Sequence, residues 1–117
     1  MTYFTAAHLQ NDAQHEDVLV YLERIQSTMD PYEGRFVVHG AKPEVVEGSW
    51  PGYLVVIAFP DEARAKGWYD SDAYQEILPM RTDHIAADVI MVPGVPDGYD
   101  PARTAARLRT AADAGAV

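Results

Sequence analysis

Apolar and polar residues along the chain keep two different periods, and the switches between them mark out the elements. Tyr3 to Leu9 combines aromatic residues and Thr of good strand propensity and ends at the polar cluster Gln10-Asn11-Asp12, which predicts a first strand. From about residue 13 to 29 the apolar positions Val18, Tyr21, Leu22, Ile25 and Met29 fall at steps of three and four. That spacing predicts a helix with one buried stripe. Asn11 or Asp12 is the expected N-cap, Glu16 and Asp17 suit the positive end of the helix dipole, and Asp30-Pro31-Tyr32-Glu33-Gly34 ends the helix and turns the chain.

Arg35-Phe36-Val37-Val38-His39, closed by Gly40, is β-branched and short and predicts a second strand. A weaker strand is expected over Glu44-Val45-Val46-Glu47, paired with the second as a hairpin through Gly40-Ala41-Lys42-Pro43. Tyr53-Leu54-Val55-Val56-Ile57-Ala58-Phe59 is apolar at every position, the pattern of a strand buried on both faces. A domain this small covers one face of its sheet with its own helices. Burial of the second face is therefore expected from another copy of the chain.

Asp61 and Ser71 are positioned as N-caps of two consecutive helices. The first carries Ala65, Trp68 and Tyr69 inward, and the second carries the stripe Tyr74, Ile77, Leu78 and Arg81, with Pro79 expected to kink or end it. Ala87–Val92 is the last strand, closed by Pro93-Gly94. The order β-α-β-β-α-β, with the second helix broken in two, predicts an α+β fold of the split β-α-β kind. In that arrangement an antiparallel sheet carries its helices on one face. Residues 1–95 are thus the expected domain, and residues 96–117 a linker and an alanine- and arginine-rich tail whose helix covers about 102 to 114.

Composition narrows the function classes. With 117 residues there is room for one core and none for a separate cofactor domain. The absence of cysteine removes disulfides, thiolate nucleophiles and cysteine-based metal sites. A net charge of −9 repels nucleic-acid phosphates and anionic membranes, so neither is an expected partner. No apolar run is long enough to span a bilayer and the N-terminus lacks a basic, apolar-cored leader, which gives a cytoplasmic expectation. The tail, with Arg103, Arg107 and Arg109 against Asp113, reverses the acidic balance of the body. No phosphate-binding glycine loop, dinucleotide fingerprint or serine elbow is present.

The runs Gly34-Arg35-Phe36, Val46-Glu47-Gly48-Ser49-Trp50, Val55-Val56-Ile57-Ala58-Phe59-Pro60, Trp68-Tyr69-Asp70-Ser71-Asp72-Ala73-Tyr74 and Leu78-Pro79-Met80-Arg81, with Gly40 closing its strand, resemble the domain-of-unknown-function 1330 (DUF1330) family over roughly residues 3–95. The resemblance implies a ferredoxin-like fold that pairs as a dimeric α/β barrel. It implies no agreed activity. The wider superfamily includes cofactor-independent oxygenases, muconolactone-type isomerases, polyketide cyclases and haem enzymes, so analogy alone does not choose a reaction.

Within this frame, Arg81 stands four positions after Ile77 and seven after Tyr74, which turns its stem inward. A guanidinium there can clamp a carboxylate or enolate, and the competing reading is a structural bridge to Glu44 or Glu47. His39 shares a strand face with Arg35 and Val37 by simple alternation and ends its strand, where an imidazole can reach a cavity and move a proton. Tyr69 is a third catalytic candidate, because a buried phenol needs a partner and can orient a ligand. Trp68, Glu47, Trp50 and His84 are candidate ligand-binding residues: the first as an aromatic wall, Glu47 and Trp50 as a carboxylate beside an indole, His84 as a second acid–base group or a loop residue. No two of His8, His15, His39 and His84 stand at a spacing that makes a metal motif, so no metal is expected, and His15 is read as part of a solvated first turn.

These readings combine into two functions. One is a homodimeric small-molecule enzyme or ancillary biosynthetic protein, of isomerase, cyclase or cofactor-independent oxygenase type. It acts without a tightly bound cofactor on an aromatic or enolisable acid by proton transfer. The other is a non-catalytic, dimeric ligand-binding or stress-associated protein.

Overall fold

In the computed structural model, which describes residues 1–113, the apolar run Tyr53–Phe59 lies inside a four-stranded sheet with a neighbour on each edge. The elements are β1 (Tyr3–Leu9), α1 (Glu16–Met29), β2 (Arg35–Ala41), β3 (Tyr53–Phe59), α2 (Glu62–Asp70), α3 (Asp72–Thr82), β4 (Ala87–Pro93) and α4 (Pro101–Asp113), with a 3-10 turn at Asp30–Tyr32 after α1. The sheet order is β2-β3-β1-β4 and every pairing is antiparallel. This is the split β-α-β arrangement, with α2 and α3 together taking the place of its second helix.

Register decides which residues face the helices. Thr5 pairs with Ile57 and Met91, and Ala7 with Val55 and Val89, so these share one face. Phe4, Ala6, Leu54, Val56, Ile90 and Val92 point the other way. On the helix side the core joins Tyr21, Ile25 and Met29 of α1, Ile57 and Phe59 of β3, Ala65 and Trp68 of α2, and Tyr74 and Ile77 of α3. Trp68 is 2% exposed, tilts against Phe59 and Tyr74, and donates its indole N–H to Thr28 Oγ1 at 3.0 Å. Thr28 in turn donates to the Ile25 carbonyl at 2.6 Å, so the buried polar atoms of this contact are satisfied.

Four sequence expectations need correction. Helix α1 begins at Glu16 with His15 as its N-cap, the ring Nδ1 accepting the Asp17 amide at 3.0 Å. Asn11 and Asp12 are used elsewhere: the Asn11 amide donates to the His84 carbonyl at 3.2 Å and its oxygen accepts the Ala86 N–H at 3.0 Å, while Asp12 accepts the Tyr53 hydroxyl. The segment Glu44–Glu47 forms no strand, because β2 pairs directly with β3 and is itself the sheet edge. Residues 42–52 are therefore an excursion between the two strands. Gly52 is needed where it returns: its φ is +90° and a β-carbon there would lie 2.0 Å from the Leu9 carbonyl oxygen.

The third correction concerns Pro79, which does not end the helix. Helix α3 runs on to Thr82, and the Pro79 carbonyl still accepts the Asp83 N–H at 3.0 Å. Arg81 accordingly stays on the buried stripe with Tyr74 and Ile77. The fourth concerns the face of His39. Register shifts lie between Phe36 and Val38 and between His39 and Ala41, the second at Gly40 with φ +69°. Phe36 is then opposite Ile57 and His39 opposite Val55, so both face the helices, and simple alternation with Arg35 and Val37 fails. The two rings stack at 4.0 Å.

Helix α4 stands away from this body. The Cα radius of gyration is 17.6 Å, against about 13 Å for a compact chain of this length. Asp100 caps the helix through the Ala102 N–H at 2.9 Å, and Leu108 is exposed. The end of the expected tail, residues 114–117, lies outside the described residues.

Candidate ligand-binding site

Between the helix-facing side of the sheet and the helices lies a cavity of about 80 Å³. Its floor is Thr5, Ala7, Val55 and Ile57, its roof is Tyr21 and Ile25 of α1 with Trp68, Tyr69, Tyr74 and Arg81 from α2 and α3. Leu22, His39 and Val89 also line it and are exposed, so they form its mouth.

Arg81, the paired phenols of Tyr21 and Tyr74, and Thr5 interrupt this apolar wall with groups that can donate hydrogen bonds. Arg81 is 9% exposed and forms no salt bridge among the described residues; neither Glu44 nor Glu47 reaches it. Its guanidinium lies over the Tyr21 ring at 5.9 Å, within cation–π range. Burial acts to lower its pKa, but the neighbouring Tyr21 and Tyr74 phenols outweigh that and hold it above the ordinary value, so it stays cationic. The phenols of Tyr21 and Tyr74 hydrogen-bond each other at 2.8 Å. Two hydroxyls joined by one bond keep one O–H free. Burial, reinforced by Tyr74, pushes the Tyr21 phenol far above its ordinary range, and Arg81 offsets this only in part; the phenol stays protonated. Finally, the Thr5 hydroxyl is a buried side-chain polar atom without a hydrogen-bond partner, on a residue 4% exposed.

A buried cation without a carboxylate partner, a spare phenol proton and an orphan hydroxyl thus gather at one cavity wall. The Thr5 hydroxyl, left without a partner, costs on the order of 1–3 kcal/mol. A carboxylate or enolate oxygen brought among them would satisfy several at once.

His39 stands at the mouth. Desolvation holds its pKa below the ordinary 6.5, so the ring is neutral at pH 7 and able to take a proton. Tyr69 lines the cavity half-buried, edge-on to Trp68 at 6.1 Å. Of the residues singled out in the sequence, the structure thus brings together Arg81, His39, Tyr69 and Trp68. It separates the others from them. Glu47 and Trp50 lie on the 42–52 excursion around a shallow hollow with Pro43 and Val46, and the Trp50 ring tilts against His8 with centroids 4.4 Å apart. His84, in the turn after α3, directs its ring away from the cavity, to Asp17 at 3.1 Å and onto His15 at 3.8 Å.

Thr5, and Tyr21 with its bond to Tyr74, are what sequence reasoning passed over at the site. The signal for Tyr21 was available, since a phenol on a buried helical stripe must find a partner. Thr5 carried none, because a threonine in a strand is ordinary and only the cavity leaves its hydroxyl without a partner.

Comparisons with known proteins agree with this architecture. The family model described as Domain of unknown function (DUF1330) matches residues 3–95. Comparison with curated proteins found no match. Among solved structures, a protein of unknown function from Rhodopseudomonas palustris, RPA0582, is similar with a TM-score of 0.62 at 15% identity, covering 81% of this chain and 84% of that one. A dimeric ferredoxin-like protein of unknown function from Jannaschia sp. CCS1 is similar with a TM-score of 0.64 at 10% identity, over 80% of this chain and 100% of that one. SnoaB, a cofactor-independent oxygenase from Streptomyces nogalater, is similar with a TM-score of 0.53 at 9% identity, over 85% and 96%. At these identities the likeness is one of fold: the chain has a ferredoxin-like, antiparallel α+β architecture.

Proposed function

The chain belongs to the DUF1330 family, and since that membership carries a fold without an activity, we propose from the geometry that the cavity receives the anionic end of a small organic acid. The observation that carries this reading is Arg81, a buried guanidinium with no salt-bridge partner among the described residues, lining a cavity whose other polar groups are also donors. Arg81 holds the carboxylate or enolate, Thr5 and the Tyr21–Tyr74 pair share its oxygens, and Trp68 and Tyr69 flank the apolar part. His39 at the mouth takes a proton from the carbon or oxygen that the anchored end presents to it. Isomerisation, cyclisation and cofactor-independent oxygenation of an aromatic or enolisable acid all begin with such a step. A cavity of 80 Å³ admits the acid group and little more, so the ring or chain of the ligand occupies the mouth between Leu22, His39 and Val89. That small volume also supports the second reading, binding of an acid without turnover, in which His39 only closes the mouth.

The apolar sheet face opposite the cavity is the surface for the second copy in the proposed homodimer. Ile90 and Val92, at 60% and 43% exposure, are among its open members, and no helix of the described residues is long and apolar enough to cross a membrane.

Arg81→Met with Thr5→Val as a second variant tests the site, using benzoate and salicylate as probes in calorimetric titrations. Arg81→Met should weaken acid binding at least roughly tenfold, the loss of one charged hydrogen-bonding partner. Because no partner carboxylate is orphaned, the same change should leave folding stability unchanged or raise it by about 1 kcal/mol. Thr5→Val should also weaken binding without destabilising. If Arg81→Met binds the acids as the parent does, or costs the roughly 3–5 kcal/mol typical of breaking a buried ion pair, the guanidinium is structural and the reading fails.

A further inference from the structure

A second cluster, outside the cavity, has the chemistry of a metal site. His15 and Asp17 open α1, and His84 sits in the turn between α3 and β4. Each offers one ligand atom, and the three atoms lie within 4.8 Å of one another. His15 Nδ1 is 3.6 Å and His84 Nε2 is 3.1 Å from the same oxygen of Asp17. Bonds of about 2.0–2.1 Å in a tetrahedron place neighbouring ligand atoms roughly 3.3 Å apart. The two edges bracket that value with nothing bound.

The scaffold under the cluster is already fixed by bonds that do not involve its ligating atoms. Asn11 holds both sides of the turn, donating to the His84 carbonyl and accepting from Ala86, and the Gln10 N–H donates to the Ala86 carbonyl at 2.9 Å. The rings of His15 and His84 stack within 18° of parallel, so their in-plane lone pairs run side by side, and one ring turns about its Cβ–Cγ bond to meet an ion held by Asp17. We propose that His15 Nδ1, Asp17 Oδ2 and His84 Nε2 bind a borderline divalent ion of the zinc type. Two imidazoles and one carboxylate suit Zn²⁺ over hard ions such as Mg²⁺ or Ca²⁺, which require mostly oxygen ligands. Three protein ligands leave a coordination position to water. Binding trades the His15 cap on the Asp17 amide for a metal bond and staples the start of α1 to the α3–β4 turn. The neighbouring residues Val18 and Ile85 are walls of the acid-binding cavity, so the staple braces one side of it.

The test is titration of the chelator-treated full chain with Zn²⁺ by calorimetry, and with Co²⁺ by visible absorption. One ion per chain at micromolar concentration is expected, with the visible bands of low-symmetry, imidazole-bound Co²⁺. His84→Ala and Asp17→Asn should each weaken Zn²⁺ at least roughly tenfold, the lower end of what losing even an outer partner of a metal ligand costs. Asp17→Asn keeps the side-chain shape and the helix start, so its loss of binding is not a loss of fold. His8→Ala and His39→Ala should bind as the parent. Absence of binding below millimolar Zn²⁺, or binding indifferent to His84→Ala and Asp17→Asn, would overturn the proposal.

Discussion

The two faces of the sheet are built from the same kinds of side chain and meet opposite fates. The face carrying Thr5, Val55, Ile57 and Phe59 is covered by α1, α2 and α3, whereas among the described residues no helix belongs to the core on the face carrying Phe4, Ala6, Val56, Ile90 and Val92. The difference teaches where chemistry can be placed. The covered side encloses a cavity in a dry wall, so Arg81, Thr5 and the paired phenols are held in an environment where each unsatisfied donor has a large effect. The open side is mainly apolar, with Arg35, His8 and Asp88 toward its margins; what it can do is meet another largely apolar surface.

The strongest way to break the contrast is from the covered side. Trp68→Ala removes the largest fully buried side chain of the core along with its bond to Thr28, and should cost about 3–5 kcal/mol in denaturant unfolding. If the loss were below about 1 kcal/mol, the covered face would not be the principal core. From the open side, Ile90→Asp should leave each subunit folded and weaken self-association by on the order of 10²-fold, because a second copy would bury an unpaired carboxylate. Leu108→Asp is the matched control: Leu108 on α4 is 61% exposed against 60% for Ile90, yet it lies off the sheet and should change sedimentation little. Equal effects of the two would mean that the open face is not the interface.

The same contrast explains how much could be read from residues alone. β1 and β3 were legible to the residue, β1 from its strand-forming side chains up to the polar Gln10-Asn11-Asp12, and β3 because a run of seven apolar positions between Gly and Pro has few other solutions. The caps Asp61 and Ser71 were legible because a side-chain oxygen three residues before a free amide is a local signal. Glu44–Glu47 misled because its valines match a strand pattern while the pairing partner is already taken, and partner availability is a property of the sheet. Arg81 was legible from helical spacing, but its lack of a carboxylate partner was not. The His15–Asp17–His84 cluster was invisible for a similar reason: His15 and Asp17 are neighbours in sequence, and His84 joins them only through tertiary structure.

His39 is where a local irregularity overrides the period, and it supplies the smallest and most pointed measurement. Without the register shifts its ring would lie on the open side; with them it stacks on Phe36 at the cavity mouth, where desolvation lowers its pKa. An NMR titration of the imidazole should therefore give a midpoint below the ordinary 6.5. As pH falls from that ordinary value toward the native midpoint, the unfolded chain takes up the proton before the folded one, so stability declines with acidification across that window and is fully retained above it. His39→Asn should flatten this part of the pH–stability curve and leave the rest unchanged. A midpoint at or above 6.5 would put the ring in open solvent, and the bulges at Val37 and Gly40 would then be bending an edge strand without delivering a base to the site.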